Sequence, residues 1–164
     1  MSKPQGSNKE MFDSTRQKFI EKAHDRFIAQ GYMATSTNDI VHDAEMARGA
    51  LYHHFKNKED IIRHIFALYS EHLHTHFKPI EANDDAFDHL TAYLDSLFEL
   101  MWRYHFFYDN LGDILSRDES LKQAYIGFQS TLLEQVRQVI LGLRDNEMIA
   151  IEEQDALELA HTLK

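Results

Sequence analysis

Residues 36–61 read STNDIVHDAEMARGALYHHFKNKEDI, and their spacing predicts a short helix, a tight turn, a second short helix and the start of a third. Ser36 followed by Asp39 is a variant of the capping box, in which each side chain satisfies a backbone donor at a helix start. In the helix that follows, from Thr37, the apolar residues Ile40, Val41 and Ala44 share one face. A break around Glu45 and Met46 precedes a second run from Arg48 to Phe55. There Leu51 and Phe55, four apart, point inward, and Arg48, Gly49, Ala50, Tyr52, His53 and His54 are left outward or to the sides. Two short helices with a small, polar and aromatic outer face suit a major groove about 12 Å wide, which the second helix enters. Gly49 and Ala50 are small enough to let its backbone approach the bases.

The run ARGALYHHFKNKEDI at 47–61 resembles the signature of the tetracycline-repressor (TetR) family of transcriptional regulators, and QGYMATS at 30–36 resembles that family's link between helices 1 and 2. The resemblance covers about the first third of the chain. It implies an all-α protein, with an N-terminal three-helix helix-turn-helix head followed by a helical ligand-binding and dimerisation body. It also implies that Tyr52 and Lys58 contact phosphate, and that a ligand in the body moves the fourth helix and so resets the spacing of two reader heads in a dimer. Two positions depart from the pattern. The family usually has Gly at the turn and Ser at the recognition-helix cap, where this chain has Glu45 and Ala47. A left-handed Glu45 costs about 1–2 kcal/mol, and Ala47 forgoes a cap worth about 1 kcal/mol.

Working outward, the chain of 164 residues is 43% hydrophobic and contains two prolines, six glycines and no cysteine. Apolar spacing of three and four dominates over alternation, so the reading is all-α without sheet. Absence of cysteine excludes disulfides and thiolate chemistry and suits a reducing cytoplasm. No stretch is apolar enough for a membrane span, and the N-terminus lacks the apolar core of a signal peptide. Net charge is −10, which opposes binding to a polyanion until it is divided. Residues 1–60 carry nine Lys or Arg against nine Asp or Glu, and residues 61–164 carry eight against eighteen. Phosphate binding depends on local potential within a Debye length of about 8–10 Å, so an acidic second part does not forbid a DNA-binding first part.

The expected organisation is a flexible arm over 1–12, a helix-turn-helix DNA-binding domain over 13–57, and a helical ligand-binding and dimerisation domain over 58–164 that is incomplete at its C-terminal end. Helix 1 is expected from about Ser14 to Gln30, with Phe19, Ile20, Ala23, Phe27 and Ile28 as its stripe and Gly31 as its left-handed stop. Lys3 and Lys9 offer an arm to a groove or remain solvated; Arg16 and Lys18 offer a phosphate contact or a solvated face. For base reading Arg48 is the candidate, since its fork matches guanine O6 and N7, with a phosphate contact as the alternative. Asn57 should cap the fourth helix, whose free backbone donors favour an anion near Lys58. Alternatives remain for the rest: Tyr52, His53 and His54 can pack on the head, and Lys58 can be solvated. Ser36 and Thr37 complete the DNA-binding candidates at the start of the second helix.

The fourth helix is expected to run to Phe77 and stop at Pro79. Within it HLHTH at 72–76 puts only His72 and His76 on one face, which is too few ligands for a metal site. No metal or cofactor is expected. Asn83 to Asp85 should cap a fifth helix with Phe87, Leu90, Leu94, Leu97, Phe98 and Met101 inward. The aromatic stretch 102–110 should bend into a short helix, followed by a long one burying Leu121, Tyr125, Phe128, Leu132, Val136, Val139 and Leu143. Trp102, Tyr104, Phe107, Tyr108, Tyr125 and Phe128 are either plain core or the wall of a ligand cavity for a largely apolar, neutral or cationic molecule. A last helix from about Glu152 should turn Leu157, Ala160 and Leu163 inward.

No nucleophile–base constellation, thiolate or phosphate-binding glycine loop supports an enzyme. The function expected is therefore a ligand-responsive transcriptional regulator, a repressor that binds a palindromic operator as a homodimer in the cytoplasm and is released by a small molecule. The alternative is a helical sensor or interaction protein that has lost DNA binding.

Overall fold

The computed structural model describes residues 5–76 and 86–163, with side chains over 9–75 and 91–162. Among the described residues all regular structure is helical, in nine helices: α1 (Gln5–Gln30), α2 (Thr37–Ala44), α3 (Arg48–His54), α4 (Lys58–His76), α5 (Ala86–Arg103), α6 (His105–Asp109), α7 (Leu111–Arg117), α8 (Glu119–Asp145) and α9 (Glu153–Leu163). They form two compact units, Met1–Ala67 with Tyr104–Arg117, and Leu68–Arg103 with Asp118–Lys164.

In the first unit α1 lays Phe19, Ile20, Ala23 and Phe27 into a core completed by Ile40, Ala44, Leu51 and Phe55 from α2 and α3, and by Ile61, Ile62 and Ile65 from α4. Ile28, expected on the same stripe, is 39% exposed. Gly31 closes α1 at φ 85°, its N–H donating to Phe27 O at 2.9 Å; glycine accepts this left-handed conformation without a Cβ clash. The helix also starts earlier than the sequence spacing suggests. Residues 5–12, expected as a flexible arm, continue α1, because adding turns to a formed helix costs far less than nucleating one. Phe12, seven residues before Phe19 and so on its face, ties this extension to α3.

The capping box at α2 is complete: Asp39 N–H donates to Ser36 Oγ at 3.2 Å, and Ser36 N–H donates to the Asp39 carboxylate at 2.8 Å. At its other end Glu45 adopts φ 53°, ψ 41°. Glu45 N–H donates to His42 O and Met46 N–H to Val41 O, the bonding pattern of a Schellman stop. Ala47 supplies no side-chain cap to α3. The turn therefore forms with the left-handed residue and the missing cap that the sequence implied. Arg26 of α1 holds Asp43 of α2 through two hydrogen bonds, Nη2 to Oδ1 at 2.8 Å and Nε to Oδ2, and this draws the Asp43 carboxyl down to about 2. At α4, Asp60 N–H donates to Asn57 Oδ1 at 2.8 Å, while Lys56 N–H donates to the Asp60 carboxylate at 3.1 Å.

The segment α6–α7 returns to this first unit. Its core residues Phe106, Phe107 and Ile114 are buried, with Phe106 tilted on Phe27 at 5.5 Å and Phe107 stacked on Phe66 at 5.0 Å. The single bend expected after the aromatic stretch is thus two short helices.

In the second unit α8 begins on Asp118, whose carboxylate accepts from Leu121 N–H at 3.0 Å. It buries Leu121, Phe128, Leu132 and Val139 as expected, whereas Tyr125, Val136 and Leu143 are half-buried. The helix α9 packs through Ala156 and Ala160 onto Ile140, with Leu133, Val136, Ile149 and Ile151 around them. Leu157, expected inward, is 42% exposed, because it is the alanines, four apart, that let the two helix backbones approach. A second apolar prediction also fails. On α5, Leu94, Phe98 and Met101 are exposed and Leu97 is half-buried; Leu100 is the buried residue. The helix presents the edge of its stripe to its neighbours rather than its centre. The predicted stop at Phe77 and Pro79, the cap at Asn83 to Asp85, and the side chains of Lys3, His76, Phe87, Leu90 and Leu163 lie outside the described residues.

Candidate nucleic-acid interface

The outward face of α2 and α3 gathers most of the residues singled out at the start. Arg48, Gly49, Tyr52 and His53 are exposed on α3, and Ser36 and Thr37 stand at the start of α2, with Thr37 half-buried. Thr37 Oγ1 and the Tyr52 phenol share a hydrogen bond of 3.2 Å, joining the two helices on the solvent side. The Arg48 guanidinium lies over the Tyr52 ring at 5.7 Å. The Thr37 hydrogen bond, then Arg48, pull the Tyr52 hydroxyl below its ordinary range. A phenol hydroxyl on this exposed face is of the kind that donates to a phosphate oxygen. Above it a Cβ built on Gly49 meets nothing within 4 Å, so nothing inside the fold demands a glycine there. Ala50 is half-buried and faces partly into the unit.

Two candidates occupy different surroundings from those expected. The Lys58 ammonium, expected at a phosphate or in solvent, donates to Tyr32 O and Thr35 O, each at 2.9 Å, and sits 4.2 Å from the Tyr32 ring centroid. Partial burial lowers its pKa from the usual lysine value. Its geometry ties the start of α4 to the α1–α2 link. His54 turns toward α1, with its ring centroid 4.2 Å from that of Phe12 and 6.1 Å from that of Phe19. Of the two readings left open for His54, these contacts favour packing. Sequence spacing missed Phe12, Arg26 and Asp43, all of which position this surface. The seven-residue step from Phe12 to Phe19 is the signal that identifies the first of them, but an ion pair between residues 26 and 43 leaves no local trace.

The six aromatic residues proposed for a ligand cavity fall into both units. Tyr104, Phe107 and Tyr108 belong to the first, where Tyr104 stands 5.0 Å from His24 and Phe107 stacks on Phe66. Trp102, Tyr125 and Phe128 belong to the second; Trp102 is 74% exposed, and Phe128 packs on Tyr69 at 5.6 Å. None of the six lines the groove of about 300 Å³ in the second unit, which is bounded by His72, Ser96, Glu99, Leu100 and Arg103. His74, in the same HLHTH stretch, bridges α4 to α8 through Gln135 Oε1 at 2.9 Å. Among the described residues no group of three or more metal-ligating side chains is placed to hold an ion, and no helix is long and apolar enough to cross a membrane.

The pattern of the first unit matches a family model described as bacterial regulatory proteins of the tetR family over residues 19–65, and a second model, bacterial transcriptional repressor, matches residues 68–164. The chain belongs to the TetR family of transcriptional regulators. Its TetR relatives include the transposon Tn10 TetC protein of Escherichia coli and the HTH-type transcriptional regulator QacR of Staphylococcus aureus, each 42% identical over 53 residues. Those stretches are 32% of this chain and cover 27% and 28% of the two relatives, so the chain matches little more than a quarter of their length. A solved TetR-family transcriptional regulator from Marinobacter aquaeolei VT8 superposes with a TM-score of 0.80 at 28% identity, over 90% of this chain and 73% of that one. The family is one of regulators and not of enzymes, and its members' helix-turn-helix unit is the surface built here by α2 and α3.

Proposed function

We propose that this TetR-family chain is a ligand-responsive repressor that binds a palindromic DNA operator as a homodimer in the cytoplasm and is released by a small molecule. The observation that carries the reading is the exposed constellation of Arg48, Gly49, Tyr52 and His53 on a helix locked to α2 by the Thr37–Tyr52 hydrogen bond. Residues 13–57 serve as the DNA-binding domain and 58–164 as the ligand-binding and dimerisation domain. In this reading Arg48 meets a guanine edge or a phosphate, Tyr52 and Ser36 hold the backbone, and the open space at Gly49 admits the groove floor. Two reader helices one turn of DNA apart, about 34 Å, fit a two-fold site.

Lys58 acts by fixing the α1–α2 link, and through it the entry of α2. The groove bounded by Glu99 and Arg103 is the seat we assign to an effector. Its rim, with Glu99 and Arg103, suits a ligand with polar ends, where the aromatic residues implied a largely apolar, neutral or cationic one. The alternative of a sensor without DNA binding rests on Glu45, Ala47 and the acidic second part of the chain. The first two are accommodated in a formed turn, which supports the DNA-binding reading over it.

The test is an electrophoretic shift on duplexes selected from genomic DNA. Arg48→Ala should cost about 1–3 kcal/mol and relax preference at one base pair, while Tyr52→Ala should weaken all duplexes alike. Unchanged binding by the Arg48→Ala, Tyr52→Ala double variant would remove this face from the interface.

A further inference from the structure

The last residue of the recognition helix, His54, is a titratable group held in an aromatic setting. Its ring lies 4.2 Å from Phe12, 6.1 Å from Phe19 and 6.3 Å from Phe55, centroid to centroid. The Nδ1 atom is buried and has no hydrogen-bond partner. Neutral imidazole tolerates this, because one ring nitrogen carries the proton and the other is only an acceptor. Charged imidazolium does not: both nitrogens become donors, and the one at Nδ1 has nothing to meet.

The charges around it make matters worse for the cation. From α1 comes Arg16, whose guanidinium lies over the Phe55 ring at 5.8 Å, with Lys9 and Asp13 at flanking positions of the same helix. From α3 comes His53, whose ring is 5.5 Å away. Behind Phe55, His64 of α4 stands edge-on at 5.4 Å and is engaged with Asp60. None of the carboxylates on these helices makes a hydrogen bond or ion pair with His54 among the described residues. Burial first, then His53 and Arg16, hold its pKa below the ordinary 6.5.

We propose that His54 is a positioning residue whose neutral ring clamps the recognition helix to the first turns of α1, so that mild acidification unclasps Phe12 and weakens DNA binding. The sign follows from proton linkage. The unfolded or unclasped state binds the extra proton more readily, so stability of the clamp is full above pH 6.5 and falls as pH drops below it. A plain surface histidine on a DNA-binding face acts the other way, since its protonation adds attraction for phosphate.

The DNA arm of the test rests on the function proposed above; the spectroscopic arm does not. Histidine ring resonances of the full chain are followed by NMR from pH 8 to pH 5, with His54 assigned through His54→Gln. Affinity for a duplex selected from genomic DNA is measured at both ends, at constant ionic strength, for wild type, His54→Phe, which keeps a ring without a proton, and His54→Gln. The expected result is a His54 midpoint below the ordinary 6.5, with Phe12 signals moving along the same curve, and affinity that falls several-fold on acidification in wild type yet holds or rises in His54→Phe. Should His54→Phe fail to fold, His54→Gln gives the same contrast. The proposal is overturned if His54 titrates at or above 6.5 while Phe12 is unmoved, or if wild type and variant respond to pH alike. If neither binds any duplex at any pH, the DNA reading fails and the NMR curve still decides the clamp.

Discussion

The two units close their helices in the same way and fill their interiors differently. Each has a long-helix or reader-helix end stopped by a Glu–Met pair: Glu45 at φ 53° before Met46, and Glu147 at φ 59° before Met148. In both, the left-handed Glu donates to the carbonyl three residues before it and the Met to the carbonyl five residues before it. In the first unit the helices so ended are pinned by side chains from distant sequence, Arg26 on Asp43 and Lys58 on the Tyr32 and Thr35 carbonyls. In the second, the bidentate ion pair of Glu134 with Arg137 lies within α8, and Arg137 also reaches Glu153 of α9 at 3.5 Å. Long-range polar ties define a surface that must hold its shape. The second unit has long-range ties as well, His74 to Gln135 at 2.9 Å and Arg137 to Glu153 at 3.5 Å, each a single contact between two helices.

That contrast can be broken most severely at the cores. Leu51 is fully buried, so Leu51→Ala should cost about 2–5 kcal/mol of first-unit stability, whereas Leu157→Ala, at a half-open position of α9, should stay within about 0.5 kcal/mol. Chemical denaturation of the two variants checks this, and equal losses would mean that α9 is as tightly held as α3. Next in size, Lys58→Ala removes two hydrogen bonds from an ammonium to backbone carbonyls. A loss of about 1–2 kcal/mol is expected, discounted for partial exposure. A melting temperature equal to wild type, with a DNA salt dependence reduced by about one phosphate contact, would instead return Lys58 to the phosphate role.

Acid sharpens the comparison further. Asp43 and Glu134 both have pKa values drawn down to about 2, by Arg26 and Arg137 respectively. Depressed carboxyl groups contribute stability that is present above their ordinary values and lost as pH falls toward 2. Since Asp43 ties two helices and Glu134 ties one turn of a single helix, Asp43→Asn should flatten the acid limb of first-unit unfolding more than Glu134→Gln flattens that of the second. Hydrogen exchange at pH 3 and pH 6 would show it. The smallest effect concerns the stops: Glu45→Gly and Glu147→Gly should each relieve about 1 kcal/mol of left-handed strain, offset in part by the entropy of an added glycine. A rise in melting temperature at one site and not the other would show which turn has other means of paying for its strain.

Much of the reader was legible in order of residues. The capping pair Ser36 and Asp39, the inward Leu51 and Phe55, the glycine stop at Gly31 and the cap at Asn57 are local, depending on neighbours within four residues, and local rules find them. Arg48, Tyr52 and His53 were placed outward by the same periodicity. His54 and Lys58 were harder, because what they touch, Phe12 in one case and the Tyr32 carbonyl in the other, is set by how α1 returns over α3 and α4. On α5 and α9 the rule of apolar spacing succeeded only in part: Ala160 is buried as expected, while Leu94, Phe98, Met101 and Leu157 are exposed. It locates a stripe but not which edge of it a neighbour covers, and there the partner surface was chosen by Leu100 and by two alanines.

By itself the amino-acid order determined the helical class, the helix ends and the family of the reader, since those follow from propensity, capping and spacing within one or two turns. Tertiary structure alone decided that residues 5–12 extend a helix, that Lys58 serves backbone carbonyls and that His54 is enclosed by aromatic rings. Each of these depends on contacts between residues tens of positions apart, whose free energy exists only once the chain has folded back on itself.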